Sequence, residues 1–399
     1  MKKIKTIIHF LFILLSSLCC NTFAQCDLEG LINQLYSSDP LERESSAFDI
    51  ADCNLRDALP KIEGLWNEEE DYNVKIQYLQ TLYVLGSDQI VDYSLEIVNS
   101  KYNSNRPLDI NPYYGKVIAT RILFANGEYS TFNSVYDLLN NDYDDANSIV
   151  VFALGDIIEY LPVESENAKQ WLIYITNNDS NDLTRSVSLE TLFNYFPIET
   201  VDLGLDIFNQ ENSYMLKYEV FKSLISINYA GLKNFFYENL TIADYSDLRY
   251  SIADSLLSIF GEPSDFKAVI SYQPNEPDET ARSLMGYSIS DFIPPKPDTL
   301  NWQGMITKLL SYTDELFQFG WIKNEATRDY YIQKLNAVKE AIENNSASAE
   351  ACTIIDEQLL PKAEQDLKDK LITTEGYKFL YYYTIYIKEE IEKEYGACQ

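Results

Sequence analysis

Apolar residues recur along most of the chain with the spacing of amphipathic helices. A turn containing Asp, Asn or Ser precedes a basic residue, and small or apolar residues stand three and seven positions after that base. This spacing gathers the apolar side chains into one stripe on one face of a helix. The reference positions of the instances, of which only Val150 is not basic, are Arg43, Lys75, Lys116, Val150, Arg185, Lys217, Arg249 and Arg282.

These helices return at a nearly regular interval. Successive reference positions are 32, 41, 34, 35, 32, 32 and 33 residues apart. A second amphipathic helix lies between each two of them, at 55–66, 88–100, 129–140, 166–177, 199–210, 230–240 and 264–272. Because one antiparallel pair cannot bury its apolar face alone, neighbouring pairs must stack. The sequence predicts an all-α fold, an α-α superhelix or solenoid of about eight helix pairs over residues 25–292.

The last hundred residues follow a different pattern. Pro294, Pro295 and Pro297 make residues 293–300 unsuitable for a helix, so we expect a semi-rigid linker there. The repeat interval ends after it. Apolar stripes then predict helices at 302–318, 325–343, 347–369 with a kink at Pro361, and 374–394. Residues 301–399 are therefore predicted to close into a small helical bundle.

The repeats resemble HEAT repeats in the segments SSDPLERESSAFDIADC, EDYNVKIQYLQTLYVLG and SNDLTRSVSLETLFNYFP. In that family an acid in the turn and a base in the second helix cross-link successive repeats as a ladder. The resemblance implies a ladder made by Asp39 with Arg43, Asp71 with Lys75, and Asp278 with Arg282, with Arg185 and Arg249 as further bases. Because Val150 lacks the base and 102–111 is an insertion, we expect an interruption near the third and fourth repeats.

The C-terminal part resembles the small helical module called FIMAH. The resemblance rests on SYTDELFQFGWIKN, IQKLNAVKEAIEN and ITTEGYKFLYYYTIYI. That module occurs at the C-terminus of secreted bacterial proteins, so it implies an extracellular accessory part. Candidate binding aromatics in this region are Trp321, Tyr381, Tyr382 and Tyr386. Core packing and a general bias of composition are the alternative explanation for the 31 tyrosines of the chain.

Residues 1–24 have the pattern of a secretory signal peptide. Lys2, Lys3 and Lys5 precede an apolar run from residue 7 to about residue 20, and small residues precede a cleavage position before Gln25. We therefore expect an exported protein, located in the periplasm, at the cell surface or outside the cell. The alternatives are an uncleaved anchor and a lipoprotein acylated at Cys19 or Cys20, although the residues before these cysteines do not fit lipidation.

Export would leave four cysteines in an oxidising compartment, which allows two disulfides in three connectivities. Cys26 begins the first helix of the first pair and Cys53 ends its partner, so an antiparallel pair brings them together. Cys352 opens the third bundle helix and Cys398 follows the fourth. We therefore predict the bonds Cys26–Cys53 and Cys352–Cys398.

Composition excludes several classes of catalytic site and of partner. The chain has 62 Asp and Glu against 31 Lys and Arg, and its only histidine, His9, lies in the predicted signal peptide. Removal of that peptide would take the net charge from −31 to −34 and leave no imidazole for a Ser-His-Asp nucleophile or a His-ligated zinc site. The excess of acid argues against nucleic acid and anionic membranes as partners. We also expect no integral membrane segment after cleavage and no cofactor.

Neither the acidic runs nor any known catalytic motif identifies a function. The densest runs are 68–71 and 142–145, and neither has the spacing of an EF-hand calcium loop. Phosphate-binding loops, G-x-S-x-G and C-x-x-C motifs are absent from the sequence. We therefore predict a non-enzymatic scaffold that presents an acidic solenoid surface to a protein or peptide, with a basic partner favoured by charge. The alternatives are a cell-wall or polysaccharide-binding accessory protein and a carboxylate-dependent hydrolase.

Overall fold

The structure is a computed structural model that describes residues 26–100, 112–141, 148–343, 348–396 and Cys398. The predicted all-α fold is confirmed, because these residues form helices and no β-strand apart from one isolated bridge between Ile322 and Ile372. The predicted signal peptide, with Cys19 and Cys20, lies outside the described residues. The chain divides into two compact units after Ser223. The domain boundaries expected from the sequence stay a prediction.

The helices of the first unit alternate as the sequence pattern predicts. They are α1 Leu28–Gln34, α2 Pro40–Asp52, α3 Leu59–Leu65, α4 Tyr72–Leu85, α5 Ile90–Asn99, α6 Pro112–Ala125, α7 Asn133–Asn141, α8 Ser148–Tyr160, α9 Ser165–Asn178, α10 Asp182–Tyr195, α11 Pro197–Gln210 and α12 Tyr214–Ser226, the last of which crosses the division. Helices that carry a reference position, here named base helices, lie side by side, with α2 on α4, α6 on α8 and α8 on α10. The helices between them form the second layer.

The helices of the second unit continue the same order and then form the bundle. They are α13 Leu232–Asn239, α14 Ser246–Ser255, α15 Pro263–Tyr272, α16 Glu279–Asp291, α17 Trp302–Gln318, α18 Glu325–Glu343, α19 Ser348–Ile354, α20 Leu360–Lys368 and α21 Thr374–Tyr395. A π-helical turn, Ile355–Leu359, joins α19 to α20 where the sequence predicts a kink at Pro361. Local π turns of this kind bend a helix.

Burial follows the predicted stripe in every base helix. The residues three positions after the reference are all buried: Ser46, Tyr78, Ala119, Ala153, Ser188, Val220, Ile252 and Met285. The residues seven positions after it are buried from Ile50 to Leu256, and only the last of them, Ile289, is half-buried. The sequence spacing therefore identifies the core face of each base helix.

Small polar residues on this stripe bond to the neighbouring layer. The hydroxyl of Ser46 donates to the carbonyl of Leu31 at 2.6 Å, and the hydroxyl of Ser188 donates to the carbonyl of Leu172 at 2.8 Å. Both bonds join a base helix to the helix before it, at the same position of two different repeats. A buried hydroxyl with a partner avoids the cost of an unsatisfied polar group.

Within the second unit, aromatic side chains join the last repeat helices to the bundle. The ring of Phe266 on α15 stacks on Phe292 with a centroid distance of 4.3 Å. Phe379 on α21 lies 6.0 Å from Phe266 and 5.7 Å from Phe292, measured between ring centroids. Clustered aromatic rings bury large apolar areas, so this contact makes α15, the end of α16 and α21 parts of one core.

The proline segment, residues 293–300, is held along the last helix. Lys296 pairs with Glu389 at 2.8 Å, and the hydroxyl of Tyr386 donates to the carbonyl of Pro294 at 2.8 Å. The ammonium of Lys378 donates to the carbonyls of Ile289, Ser290 and Phe292 at 3.0, 2.6 and 2.8 Å. These carbonyls end α16, so Lys378 supplies the donors that the end of a helix lacks.

Gly261 allows the proline segment to approach the turn between α14 and α15. Its φ of +54° lies in the left-handed region that favours glycine. A Cβ atom at this position would clash with the ring of Pro295 and would lie 2.6 Å from the carbonyl oxygen of Leu257. Both the backbone conformation and the close approach therefore require glycine.

Candidate binding surface

Ion pairs that are buried or partly buried join successive repeats within each unit. Arg43 donates to both carboxylate oxygens of Glu69 at 2.7 and 2.8 Å and to the carbonyl of Ser37 at 2.9 Å. Arg185 pairs with Glu211, and its Nε donates to the carbonyl of Thr176 at 2.8 Å. A forked pair of hydrogen bonds from an arginine fixes the geometry of both partners. The base of one repeat is therefore bound to an acid that precedes the next base helix.

The same arrangement recurs in the second unit. Arg249 donates to the two carboxylate oxygens of Glu276 at 2.8 and 2.6 Å, and the hydroxyl of Tyr272 donates to Glu276 at 2.7 Å. The hydrogen bond from Arg249 lowers the pKa of Glu276 to about 2. Burial raises the pKa of Tyr272 to about 12, and the hydrogen bond with Glu276 acts in the same direction. Both partners of the ion pair remain charged at neutral pH.

The aspartates assigned to the ladder cap helices. Asp39 accepts from the backbone N–H of Leu41, Asp71 from those of Asn73 and Val74, and Asp278 from that of Ala281. An aspartate at this position satisfies backbone donors that have no partner inside the helix. Arg43 pairs with Glu69 rather than with Asp39, which caps the helix that carries Arg43. The hydrogen bond with Glu69 raises the pKa of Arg43, and the charge of Asp71 acts in the same direction.

The acids that bind the arginines were not found from the sequence. Glu69, Glu211 and Glu276 each stand two residues before the capping residue of the next base helix, Asp71, Ser213 and Asp278. The signal is an acid 26 or 27 residues after the base. With acids so abundant, this spacing carries meaning only when the pairing of the helices is known.

The remaining predicted bases also have local partners. Lys75 pairs with Glu96 at 2.7 Å and lies 4.9 Å from the centroid of the Trp66 ring. Arg282 donates to the carbonyl of Glu276 at 3.0 Å. Near the expected interruption, a different pair joins the base helices, since Arg121 of α6 binds Asp156 of α8 at 2.7 Å.

The structure joins both predicted cysteine pairs. Cys26 and Cys53 form a disulfide with Cα atoms 5.9 Å apart, and Cys352 and Cys398 form another with Cα atoms 5.2 Å apart. The first bond closes the first helix pair of the first unit. The second ties α19 to Cys398, which lies three residues after the end of α21. Two such bonds are compatible with an oxidising environment.

The predicted binding aromatics are all half-buried. The indole of Trp321 contacts Phe266, Phe319 and Phe379. Tyr386 bonds to the proline segment, whereas Tyr381 stacks on Tyr377 and meets the edge of Tyr382. Trp321 and Tyr386 thus contribute to packing within the second unit, and the two remaining tyrosines lie side by side on α21.

An open groove lies between α14 and α16, with a volume of about 380 Å³. We name it the tyrosine groove, and its lining includes Tyr250, Asp254, Leu284, Tyr287, Ser288 and Asp291. Tyr287 is 66% exposed and Leu284 is 37% exposed. Asp254 accepts a hydrogen bond of 2.8 Å from the hydroxyl of Ser288 across the groove. The groove therefore combines exposed apolar walls with carboxylates.

The residues that the structure describes contain neither a cluster of metal ligands nor a membrane-spanning helix. Within them, no group of three or more His, Cys, Asp or Glu residues is placed to hold a metal ion. The acidic run 142–145 lies outside the described residues, and in the other run Glu69 is bound to Arg43. None of the described helices has the length and apolar character needed to cross a membrane.

No protein-family model matches this chain, and no curated protein matches it either.

Proposed function

We propose that the mature protein is an exported, non-enzymatic scaffold whose acidic surface binds a basic protein or peptide. The observation that carries this proposal is that three arginines are bound within the fold, while acidic residues are in large excess over the chain. Arg43, Arg185 and Arg249 are 16, 11 and 9% exposed, because each is bound to a glutamate between repeats. The chain as a whole has twice as many acids as bases, with a net charge of −31. An acidic surface of this kind attracts basic partners and steers their approach.

Several features support export. The N-terminal lysines, the apolar run after them and the small residues before Gln25 fit a cleaved secretory signal. The bonds Cys26–Cys53 and Cys352–Cys398 are compatible with an oxidising compartment. The resemblance of the repeats to HEAT arrays, and of residues 301–399 to the FIMAH module, fits a secreted scaffold with an accessory C-terminal part.

The proposal is tested by capture of partners on the immobilised mature protein. Envelope extract and culture medium are applied at about 50 mM and at about 500 mM NaCl, since salt screens interactions between exposed charges. We expect one or a few basic proteins to be retained at low salt and released at high salt. An unrelated protein of similar negative charge serves as the control. If the two columns retain the same proteins, or if nothing is retained at low salt, the proposal is wrong.

A further inference from the structure

We propose that the tyrosine groove is the site that receives lysine or arginine side chains of an extended basic peptide. This inference rests on the proposed function and names the place where the partner is recognised. Three observations support it: the exposed apolar walls, the carboxylates that face the groove, and the cation–aromatic contacts that recur inside this protein.

The apolar walls are exposed on a continuous stretch of the second unit. Tyr287 and Leu284 project from α16, and Ile293, which is 50% exposed, follows the end of that helix. Tyr250 lines the groove from α14. Apolar and aromatic side chains that share one groove mark an interaction site more strongly than the same residues scattered singly.

The charge of the groove selects the partner. Asp254 and Asp291 line it, and none of the residues described as lining it is basic. Asp254 is the better anchor, because the hydroxyl of Ser288 orients its carboxylate, which can accept further hydrogen bonds. A cation placed there would meet a carboxylate and aromatic faces together.

Lys378 on α21 does not compete for a position at Asp254. Lys378 is held by the three carbonyls at the end of α16. Its charge lies near Asp291, which weakens the negative potential at that end of the groove. We therefore expect a cation to be held at Asp254 rather than at Asp291.

The protein itself uses the proposed mode of contact. Lys267 lies 3.9 Å from the centroid of the Phe319 ring, and Lys75 lies above Trp66 while it binds Glu96. In the second case a carboxylate and an aromatic ring hold one ammonium group together. The tyrosine groove offers the same two groups to a side chain from another molecule.

The test uses the full mature chain and fluorescently labelled hexalysine, with hexaglutamate and a neutral glucose hexasaccharide as the other probes. Binding is measured by fluorescence anisotropy for the wild type, Asp254→Asn and Tyr287→Ala. Glu357→Gln, which removes an exposed carboxylate on the turn between α19 and α20, is the matched control. Unchanged circular dichroism and thermal midpoints establish that each variant is folded.

We expect hexalysine to bind and hexaglutamate not to bind. Asp254→Asn and Tyr287→Ala should each weaken hexalysine binding by about five- to tenfold, and Glu357→Gln by less than about twofold. Hydrogen exchange should slow in α14 and α16 when hexalysine is added. Equal weakening by all three substitutions, or no weakening by any of them, would overturn the groove as the site while leaving a diffuse acidic scaffold in place.

Two other outcomes overturn the inference in different ways. If the hexasaccharide binds and Tyr287→Ala abolishes its binding while hexalysine is unaffected, the groove recognises sugar. If hexalysine fails to bind the wild type although the affinity column retains a basic protein, the scaffold proposal stands and the groove does not recognise a simple cationic peptide. Failure of both experiments removes the proposed function as well.

Discussion

Arg249 and Glu276, 27 residues apart, form a forked ion pair in which the glutamate side chain is fully buried. The pair joins the start of α14 to the turn before α16. Glu276 also accepts from the backbone N–H of Asp278 at 3.0 Å, so the same carboxylate organises the cap of the next base helix. One residue therefore links two repeats and positions the start of the second.

Removal of the arginine should strongly destabilise the second unit. Arg249→Met leaves the carboxylate of Glu276 buried without its cation, and a broken buried pair costs about 3–5 kcal/mol. The free energy of opening can be measured from hydrogen exchange in α14 and α16. In the double variant Arg249→Met/Glu276→Leu, most of this loss should be recovered because no charge is left buried without a partner.

The pair Lys75–Glu96 provides the control for this prediction. Its glutamate is 48% exposed, so Lys75→Met should cost less than about 1 kcal/mol. A similar loss in Lys75→Met and Arg249→Met would show that burial does not decide the strength of these pairs. It would contradict the structural role assigned to Arg249.

Glu276 should also make the free energy of unfolding depend on pH in the acidic range. Its pKa is lowered from an ordinary value of 4.5 to about 2, so the folded state favours the charged form. The resulting stabilisation is complete above about pH 4.5 and is lost as the pH falls towards 2, with a size of roughly 3 kcal/mol. The free energy of unfolding of wild type and Glu276→Gln, measured from pH 6 down to about pH 2, should converge in that window. A constant difference over the whole range would refute the assignment.

The sequence predicts the positions of the helices better than it predicts the contacts between them. The stripe from Ser46 to Met285 and the bundle helix 325–343 follow from local spacing, and the structure places them as predicted. The partner of Arg43 was missed because acids occur both at the cap of its own helix, Asp39, and in the turn before the next base helix, Glu69. Only the packing of the helices decides between Asp39 and Glu69.

The contacts of the proline segment show the same limit. Its prolines indicate correctly that it is not helical. Its contacts, however, come from Lys378 and Tyr386, which lie more than 80 positions further along the chain than the residues they bind. Nothing in the local pattern identifies Lys378 as the residue that caps α16. Such a contact depends on how α21 packs in the second unit.

Loss of the Lys378 ammonium should loosen the end of α16 and the proline segment. Lys378→Met removes the donors to three carbonyl groups, and we expect hydrogen exchange of residues 289–296 to become at least about tenfold faster. Lys393→Met, which alters a lysine that is 77% exposed, should have no such effect. Equal exchange in the two variants would show that the Lys378 contacts do not hold this segment.

Gly261→Ala should also destabilise the fold, because the alanine would meet the proline segment. The alanine would have to adopt a φ of +54° and would clash with Pro295, so we expect a loss of at least about 1–2 kcal/mol in thermal or denaturant unfolding. Gly320→Ala tests the backbone effect alone, since its φ is +71° and nothing lies within 4 Å of the added Cβ. A smaller loss at Gly261 than at Gly320 would contradict the close approach of Pro295.

The two disulfides should stabilise the chain and leave no free thiol in the mature protein. Their separations of 27 and 46 residues correspond to roughly 3–4 kcal/mol each in the chain-entropy account. Intact-mass measurement after alkylation should find no modified cysteine before reduction and four after reduction and unfolding. A thiol that reacts in the folded, unreduced protein would contradict the pairing. Cys26→Ser/Cys53→Ser should lower the thermal midpoint of the first unit.

The central claim is that an acidic surface recognises a basic partner, and competition tests it most directly. A protein retained from envelope extract or culture medium is challenged on the column with polylysine or polyaspartate at equal charge concentration and constant salt. The account predicts that polylysine displaces the partner by occupying the acidic surface, and that polyaspartate displaces it by binding the basic partner itself. Retention of the partner in the presence of saturating polylysine would contradict the account.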